Sequence, residues 1–201
     1  MLVSDKHEFV MLLVPKTGTR SLIKMLSGEK YFAENIGDHK HKIPNKYQGY
    51  YTFTVVRNPY QRMVSLYLSC CVASGDMKGF VKDFEPVYGG NSFEYFLQWL
   101  VDNRDKFWAI NQSKYIILKS QAAFILGNKI DCVIPFESLS EDLYKLPFID
   151  EDEKLLHVNR TASKTDLNLG SHEDYLSDKA ILLINDYCDK EFELGGYKKI
   201  E

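Results

Sequence analysis

The sequence predicts an α/β fold in three layers, with a central parallel sheet flanked by helices. Three apolar runs have the length and composition of buried strands, and they lie at residues 9–14, 51–56 and 131–136. Stretches with a helical spacing of apolar residues follow the first two runs. Because strands that alternate with helices form parallel sheets covered on their faces, these observations together favour this fold class.

The composition is that of one globular domain spanning residues 1–201. Of the 201 residues, 45% are apolar and 26% are charged, which allows a substantial core. The net charge of −3 excludes a strong overall positive field, so nucleic acid is not an expected partner. The four cysteines have no C-x-x-C spacing, and we expect free thiols and no metal site.

The hydropathy pattern bears on the location of the protein. The N-terminus has no basic segment followed by a long apolar one, as a secretory signal would have. No run of about 18 apolar residues occurs in the chain. We therefore expect a cytoplasmic protein without a membrane span.

The loop PKTGTRS at residues 15–21 lies between the first strand and a helical pattern that resumes at Leu22. Backbone N–H groups and the positive end of a helix dipole converge in such a loop, and hydroxyls and a lysine add further donors. This layout predicts a phosphate or sulfate site, although an ordinary strand-to-helix turn would have the same outline. The candidate ligands are Lys16, Thr17, Gly18, Thr19, Arg20 and Ser21.

The order of residues in this loop disfavours a nucleoside triphosphate site. A P-loop of the Walker A type requires glycines ahead of its lysine and a hydroxyl directly after it that holds Mg²⁺. Here Lys16 comes first, Gly18 is the only loop glycine, and no second motif offers an obvious carboxylate for the metal. A nucleotide-dependent phosphotransferase or kinase is therefore kept only as an alternative.

The segment VVRNPYQRMVSLY at residues 55–67 offers a second group of anion ligands. Arg57 follows the second strand, Pro59 suits the first turn of the next helix, and Ser65 lies eight residues after the arginine. A guanidinium and a hydroxyl could together bind a second phosphate. Arg62 could support that phosphate or could equally be a solvated helix residue.

Both motifs follow strands, and ligands in open α/β sheets bind at the carboxyl ends of the strands. Together the motifs resemble those of the sulfotransferases that use PAPS (3′-phosphoadenosine-5′-phosphosulfate). Residues 15–21 are similar to the family's 5′-phosphosulfate loop. Residues 57–67 match every fixed position of its 3′-phosphate segment, R-[ND]-P-x-x-R-x-x-S-x-Y.

The resemblance implies a P-loop-kinase-like sulfotransferase fold that forms a single domain over residues 1–201. It also implies transfer of a sulfuryl group from PAPS to a hydroxyl acceptor, with PAP as product and no metal. Lys16 would stabilise the leaving PAP, the loop at 15–21 would hold the 5′-phosphate and the sulfate, and Arg57 with Ser65 would hold the 3′-phosphate. A non-catalytic domain that binds PAP or a sulfated glycan is a second alternative.

A weaker similarity extends towards the C-terminus. The segment VIPFESLSEDL at residues 133–143 resembles a strand of the family and the segment that follows it. The segment NRTAS at residues 159–163 resembles the loop that closes over the nucleotide in carbohydrate-type members. This likeness implies Arg160 and Ser163 as further cofactor-binding residues. Residues 77–130 match no motif, and we expect acceptor choice to reside partly there.

The general base is expected in the polar stretch at residues 28–48, which predicts a long irregular loop. In carbohydrate sulfotransferases of this kind the base is a histidine or a glutamate, and the spacing favours His39 over His41. Imidazole suits the role because its pKa of about 6.5 lies near neutral pH. The other interpretation is two solvated histidines in a basic loop that attracts an anionic acceptor. This loop and the aromatic residues at 47–51 suggest a sugar or a polyanionic glycan as the hydroxyl-bearing acceptor, with a phenol, a tyrosine or a lipid headgroup as alternatives.

Overall fold

The computed structural model describes residues 1–37, 42–72, 93–109, 116–150 and 171–201. The chain divides into two compact units. The first unit consists of Met1–Asn58 and Ser120–Val158, and the second consists of Pro59–Lys119 and Asn159–Glu201. The loop at residues 15–21 therefore belongs to the first unit. The single domain expected from length and resemblance stays a prediction.

The first unit contains a five-stranded sheet with the strand order β3-β1-β2-β4-β5. Strands β2, β4 and β5 run parallel, whereas β1 runs antiparallel to both of its neighbours. The sheet is therefore mixed, and the wholly parallel sheet predicted from the sequence is corrected to a parallel half and an antiparallel edge. The strands are β1 (Leu2–Ser4), β2 (Phe9–Leu12), β3 (Glu34–Asn35), β4 (Tyr51–Val56) and β5 (Cys132–Pro135).

The two strands that the sequence did not predict are the shortest ones. β1 has three residues and β3 has two, which is too short for a periodic pattern to stand out. β1 pairs antiparallel with β2 because only four residues connect the two strands, and parallel neighbours need a much longer crossover. The long loop predicted at residues 28–48 is interrupted by β3 and by a 3₁₀ turn at Asn45–Tyr47.

Helices flank this sheet and also make up the second unit. In the described part of the chain they are α1 (Thr19–Leu26), α2 (Pro59–Tyr67), α3 (Phe93–Asp102), α4 (Arg104–Ala109), α5 (Ala122–Ile125), α6 (Leu139–Asp142), α7 (Asp178–Tyr187) and α8 (Asp189–Gly195). Within the ranges that the structure describes, no helix is long and apolar enough to cross a membrane.

The central strand β2 is buried on both faces. Phe9 and Met11 belong to one apolar cluster, and Val10 and Leu12 belong to another, because successive strand residues point to opposite faces. Helix α1 packs into the first cluster through Leu22. Burial of both faces explains why the sequence shows a continuous apolar run here instead of an alternating one. This packing fixes the point at which the loop at residues 15–21 leaves the sheet.

Helix α2 of the second unit buries a charged residue in its core. The guanidinium of Arg62 lies 3.6 Å from the carboxylate of Glu191 on α8, and both side chains are 0% exposed. A second guanidinium nitrogen of Arg62 donates to the backbone carbonyl of Lys119 at 2.8 Å. The interpretation of Arg62 as a solvated helix residue is therefore wrong, because its side chain is fully buried, and its support of a phosphate stays a prediction.

The cysteines of the chain are free thiols, as the spacing predicts. Burial raises the pKa of Cys71 to about 12 and raises the pKa of Cys188 well above its usual value. Burial also raises the pKa of Cys132. These three side chains are therefore protonated near neutral pH and are poor nucleophiles.

The buried ion pair predicts a large loss of stability when one partner is removed. Glu191→Ala should lower the free energy of unfolding by about 3–5 kcal/mol, because Arg62 keeps its charge in the core. Glu193→Ala, an exposed position on the same helix, should change it by less than about 0.5 kcal/mol. Urea unfolding followed by circular dichroism measures both values. Losses of equal size in the two variants would contradict a structural role for the pair.

Candidate active site

The loop after β2 has an unusual backbone conformation. Lys16 has φ 70° and Gly18, which precedes α1, has φ 74°, so both lie in the left-handed region. A lysine rarely adopts this conformation, and such strained residues cluster at functional sites. Between them, the buried hydroxyl of Thr17 donates to the carbonyl of Val14 at 2.9 Å and stabilises the turn.

The start of α1 is suited to an anion. Its first turn contains no acidic residue, so the positive end of the helix dipole is not neutralised locally. Thr19 and Ser21 are buried at this end, whereas Arg20 points to solvent and Lys16 is half-buried. The ligand roles predicted for these residues stay predictions.

Arg57 lies beside this loop. β2, β4 and β5 are adjacent and parallel, so the residues that follow them meet at one edge of the sheet. A guanidinium nitrogen of Arg57 donates to the carbonyl oxygen of Lys16 at 3.5 Å. The guanidinium carbon lies 4.7 Å from the ring centroid of Phe136, which follows β5, in a cation–π contact. The structure thus brings Lys16 and Arg57, from two separate motifs, to the same place.

Two further side chains hold the backbone of this corner. The backbone N–H of Arg57 donates to Oε1 of Gln121 at 2.9 Å, and Nε2 of Gln121 donates to the carbonyl of Arg57 at 2.8 Å. The N–H of Asn58 donates to the carboxylate of Glu137 at 2.8 Å. Glu137 therefore contributes to holding the backbone that follows Arg57.

The ring of Phe136 also lies against Gly18 of the loop at residues 15–21. A Cβ atom placed on Gly18 would lie 2.4 Å from Cε2 of Phe136, which is far inside van der Waals contact. Glycine is therefore required at position 18 for two reasons, because its φ is left-handed and because the ring of Phe136 leaves no room for a Cβ atom. Sequence reasoning missed Phe136 and Gln121 as parts of the site. A single aromatic residue and a single glutamine have no local pattern that could reveal such a role.

The other predicted site residues are Ser65, His39, His41, Arg160 and Ser163. Ser65 is a buried residue of α2 in the second unit, and its part in phosphate binding stays a prediction. The histidines His39 and His41 lie outside the described residues, as do Arg160 and Ser163.

The aromatic residues at 47–51 are less open than the sequence suggests. Tyr47 is buried in the core, and Tyr50 and Tyr51 are half-buried. In the described conformation Tyr47 therefore cannot offer its ring to a sugar, because the ring is buried. The ring of Tyr47 packs instead against Tyr50, with centroids 5.4 Å apart.

The comparison with protein families agrees with the two motifs. Residues 1–194 match the model of a family described as the sulfotransferase family. No curated protein and no solved structure gives a significant match to the chain. The family match covers nearly the whole chain, including the loop after β2, the Arg57 corner, α7 and all but the last residue of α8. The chain therefore belongs to the sulfotransferase family, whose members transfer sulfuryl groups.

Proposed function

We propose that this protein transfers a sulfuryl group from PAPS to a hydroxyl group, with a carbohydrate as the favoured acceptor. The contact of Arg57 with the carbonyl of Lys16 carries the proposal. One of these residues belongs to the motif that resembles a 5′-phosphosulfate loop, and the other belongs to the motif that resembles a 3′-phosphate segment. PAPS carries both anionic groups on one ribose, so a PAPS site needs the two motifs side by side.

Donor binding divides between the two motifs in this proposal. The loop at residues 16–21 and the N-terminus of α1 hold the 5′-phosphate and the sulfate through backbone N–H groups and hydroxyls. Arg57 binds the 3′-phosphate, the group to which the resemblance also assigns Ser65. The resemblance places Arg160 and Ser163 in the segment that covers the nucleotide. A charge-assisted contact to the 3′-phosphate would distinguish PAP from AMP.

The proposed chemistry is an in-line displacement at sulfur. The acceptor hydroxyl oxygen forms a bond to sulfur while the bond from sulfur to the bridging oxygen of PAP breaks. The hydroxyl proton goes to a general base, for which His39 is the first candidate and His41 the second. Lys16 stabilises the negative charge that develops on the bridging oxygen. This scheme uses no metal ion.

Two other functions are tested against this one. A nucleotide-dependent kinase is disfavoured because the loop lysine precedes its only glycine, opposite to the Walker A order. A non-catalytic domain that binds PAP or a sulfated glycan would share the donor site and differ only in turnover. Binding of PAP and turnover of PAPS should therefore be measured in separate experiments.

The nucleotide preference tests the proposed donor. In isothermal titration, PAP should bind at least about tenfold more tightly than AMP, because one charge-assisted hydrogen bond to the 3′-phosphate is worth that much. Added Mg²⁺ should not change the affinity. Selective, Mg²⁺-dependent binding of ATP would contradict the proposal and favour the kinase. Turnover of PAPS with a panel of hydroxyl acceptors separates the enzyme from a binding domain, which would show none.

Replacement of Gly18 tests the loop itself. Gly18→Ala should weaken PAP binding by at least about tenfold, because the new methyl group collides with Phe136 and the backbone is in the left-handed region. The matched control is Gly49→Ala, since a Cβ atom there meets nothing within 4 Å. Titration with PAP measures both variants, and thermal unfolding reports on their folding. Equal PAP affinities in the two variants would exclude this loop from the nucleotide site.

The proposed base is tested by turnover. A general base contributes about 10²–10⁴-fold to rate and little to donor binding, so His39→Ala should lower kcat by about a hundredfold or more. Its affinity for PAP should stay within about threefold of the wild-type value. His41→Ala is the matched variant, with a smaller expected loss of kcat. Normal turnover in the double variant would remove histidine from the mechanism, and a loss confined to His41→Ala would exchange the two roles.

A further inference from the structure

We propose that Gln121 is a positioning residue for recognition of the 3′-phosphate and that it acts through Arg57. This inference rests on the proposed function, because it assumes that Arg57 binds that phosphate. Gln121 lies 64 residues after Arg57 in the chain, in the segment at residues 77–130 that matches no motif. No contact of Gln121 with the nucleotide is required.

The side-chain amide of Gln121 satisfies both backbone polar groups of Arg57. Its Oε1 accepts from the N–H at 2.9 Å, and its Nε2 donates to the carbonyl at 2.8 Å. The orientation of the amide is determined, since an N–H can only donate and a carbonyl can only accept. Two bonds to one residue restrict its φ and ψ together, which a single bond would not do.

The location of Arg57 explains why this support is needed. The last paired residue of β4 is Val56, which lies opposite Pro135 of β5. Arg57 is the first residue beyond this pairing. The side chain of Gln121 bonds its backbone N–H and carbonyl, as a neighbouring strand would within the sheet. Without such support the end of a strand frays, and the direction of the arginine side chain would vary.

Gln121 is itself held firmly. Its side chain is 1% exposed, and its backbone carbonyl accepts from the N–H of Phe124 at 3.0 Å at the start of α5. Ala122 and Phe124 of that helix are fully buried. The amide is therefore part of the packed interior, and it can transmit this rigidity to Arg57.

The guanidinium of Arg57 has its own contacts, which depend on the backbone position. It stacks on Phe136 and donates to the carbonyl of Lys16. A rotation of the Arg57 backbone would move the guanidinium away from both groups. Gln121 thus fixes the backbone from which the Arg57 side chain extends, and the contacts with Phe136 and Lys16 fix the direction of that side chain. An arginine fixed in advance loses less entropy when the phosphate binds.

The test compares PAP and AMP in three variants. Gln121→Met keeps the length of the side chain and removes both hydrogen bonds, so it should weaken PAP binding by about tenfold while AMP binding changes by less than about twofold. Gln121→Glu keeps one acceptor, sets a second oxygen against the Arg57 carbonyl and adds a negative charge, so its loss of PAP affinity should be at least as large. Gln48→Met, an exposed glutamine of the same unit, is the control and should leave both affinities unchanged.

A double-variant cycle shows whether Gln121 acts through Arg57. In the Arg57→Ala background, Gln121→Met should change PAP affinity by less than about twofold, because residues that act as one unit are not additive. Equal losses for PAP and AMP, or full additivity with Arg57→Ala, would overturn the inference. Retained PAP selectivity in a folded Gln121→Met or Gln121→Glu protein would overturn it as well. A wild-type protein that binds PAP and AMP equally would overturn the proposed function first, and the inference with it.

Discussion

The position of Arg57 at the end of β4 is the constraint on which the candidate site depends. Its backbone is bonded by Gln121, its guanidinium lies on the ring of Phe136, and it donates to the carbonyl of Lys16. These contacts come from three separate segments of the first unit, so the arginine is ordered only when the unit has folded. If Arg57 binds the nucleotide as proposed, this ordering would precede binding and would leave more of the electrostatic attraction available to the ligand.

The proposed binding of an anionic nucleotide would be a local property of the site. The chain carries a net charge of −3, so a nucleotide with several negative charges gains nothing from the overall field. In the proposed function the attraction would come from the N-terminus of α1, whose first turn has no acidic residue, and from donors at the edge of the sheet. The left-handed conformation of Lys16 and Gly18 carries local strain, and the buried β2 and the buried residues of α1 hold it in place.

Two arginines of one motif have opposite environments. Arg57 follows a strand and is half-buried at the edge of the sheet, whereas Arg62 lies on the buried side of α2 and pairs with Glu191. The pattern R-x-x-x-x-R treats them alike. Removing two charges from water is costly, and the arrangement is stable only because each charge compensates the other. The motif therefore combines a proposed ligand contact with a structural ion pair, and sequence spacing cannot separate the two.

Local patterns in the sequence determined the parallel strands, the loop after β2 and the start of α2 at Pro59, because apolar runs and breaker residues act over a few neighbours. β4 has the predicted boundaries, and β2 and β5 differ from theirs by one or two residues. The tertiary structure decided the antiparallel edge, the burial of Arg62, and the roles of Gln121 and Phe136. Each of these depends on a partner far away in the chain, and an isolated glutamine or phenylalanine carries no periodic signal of the partner that folding will bring to it.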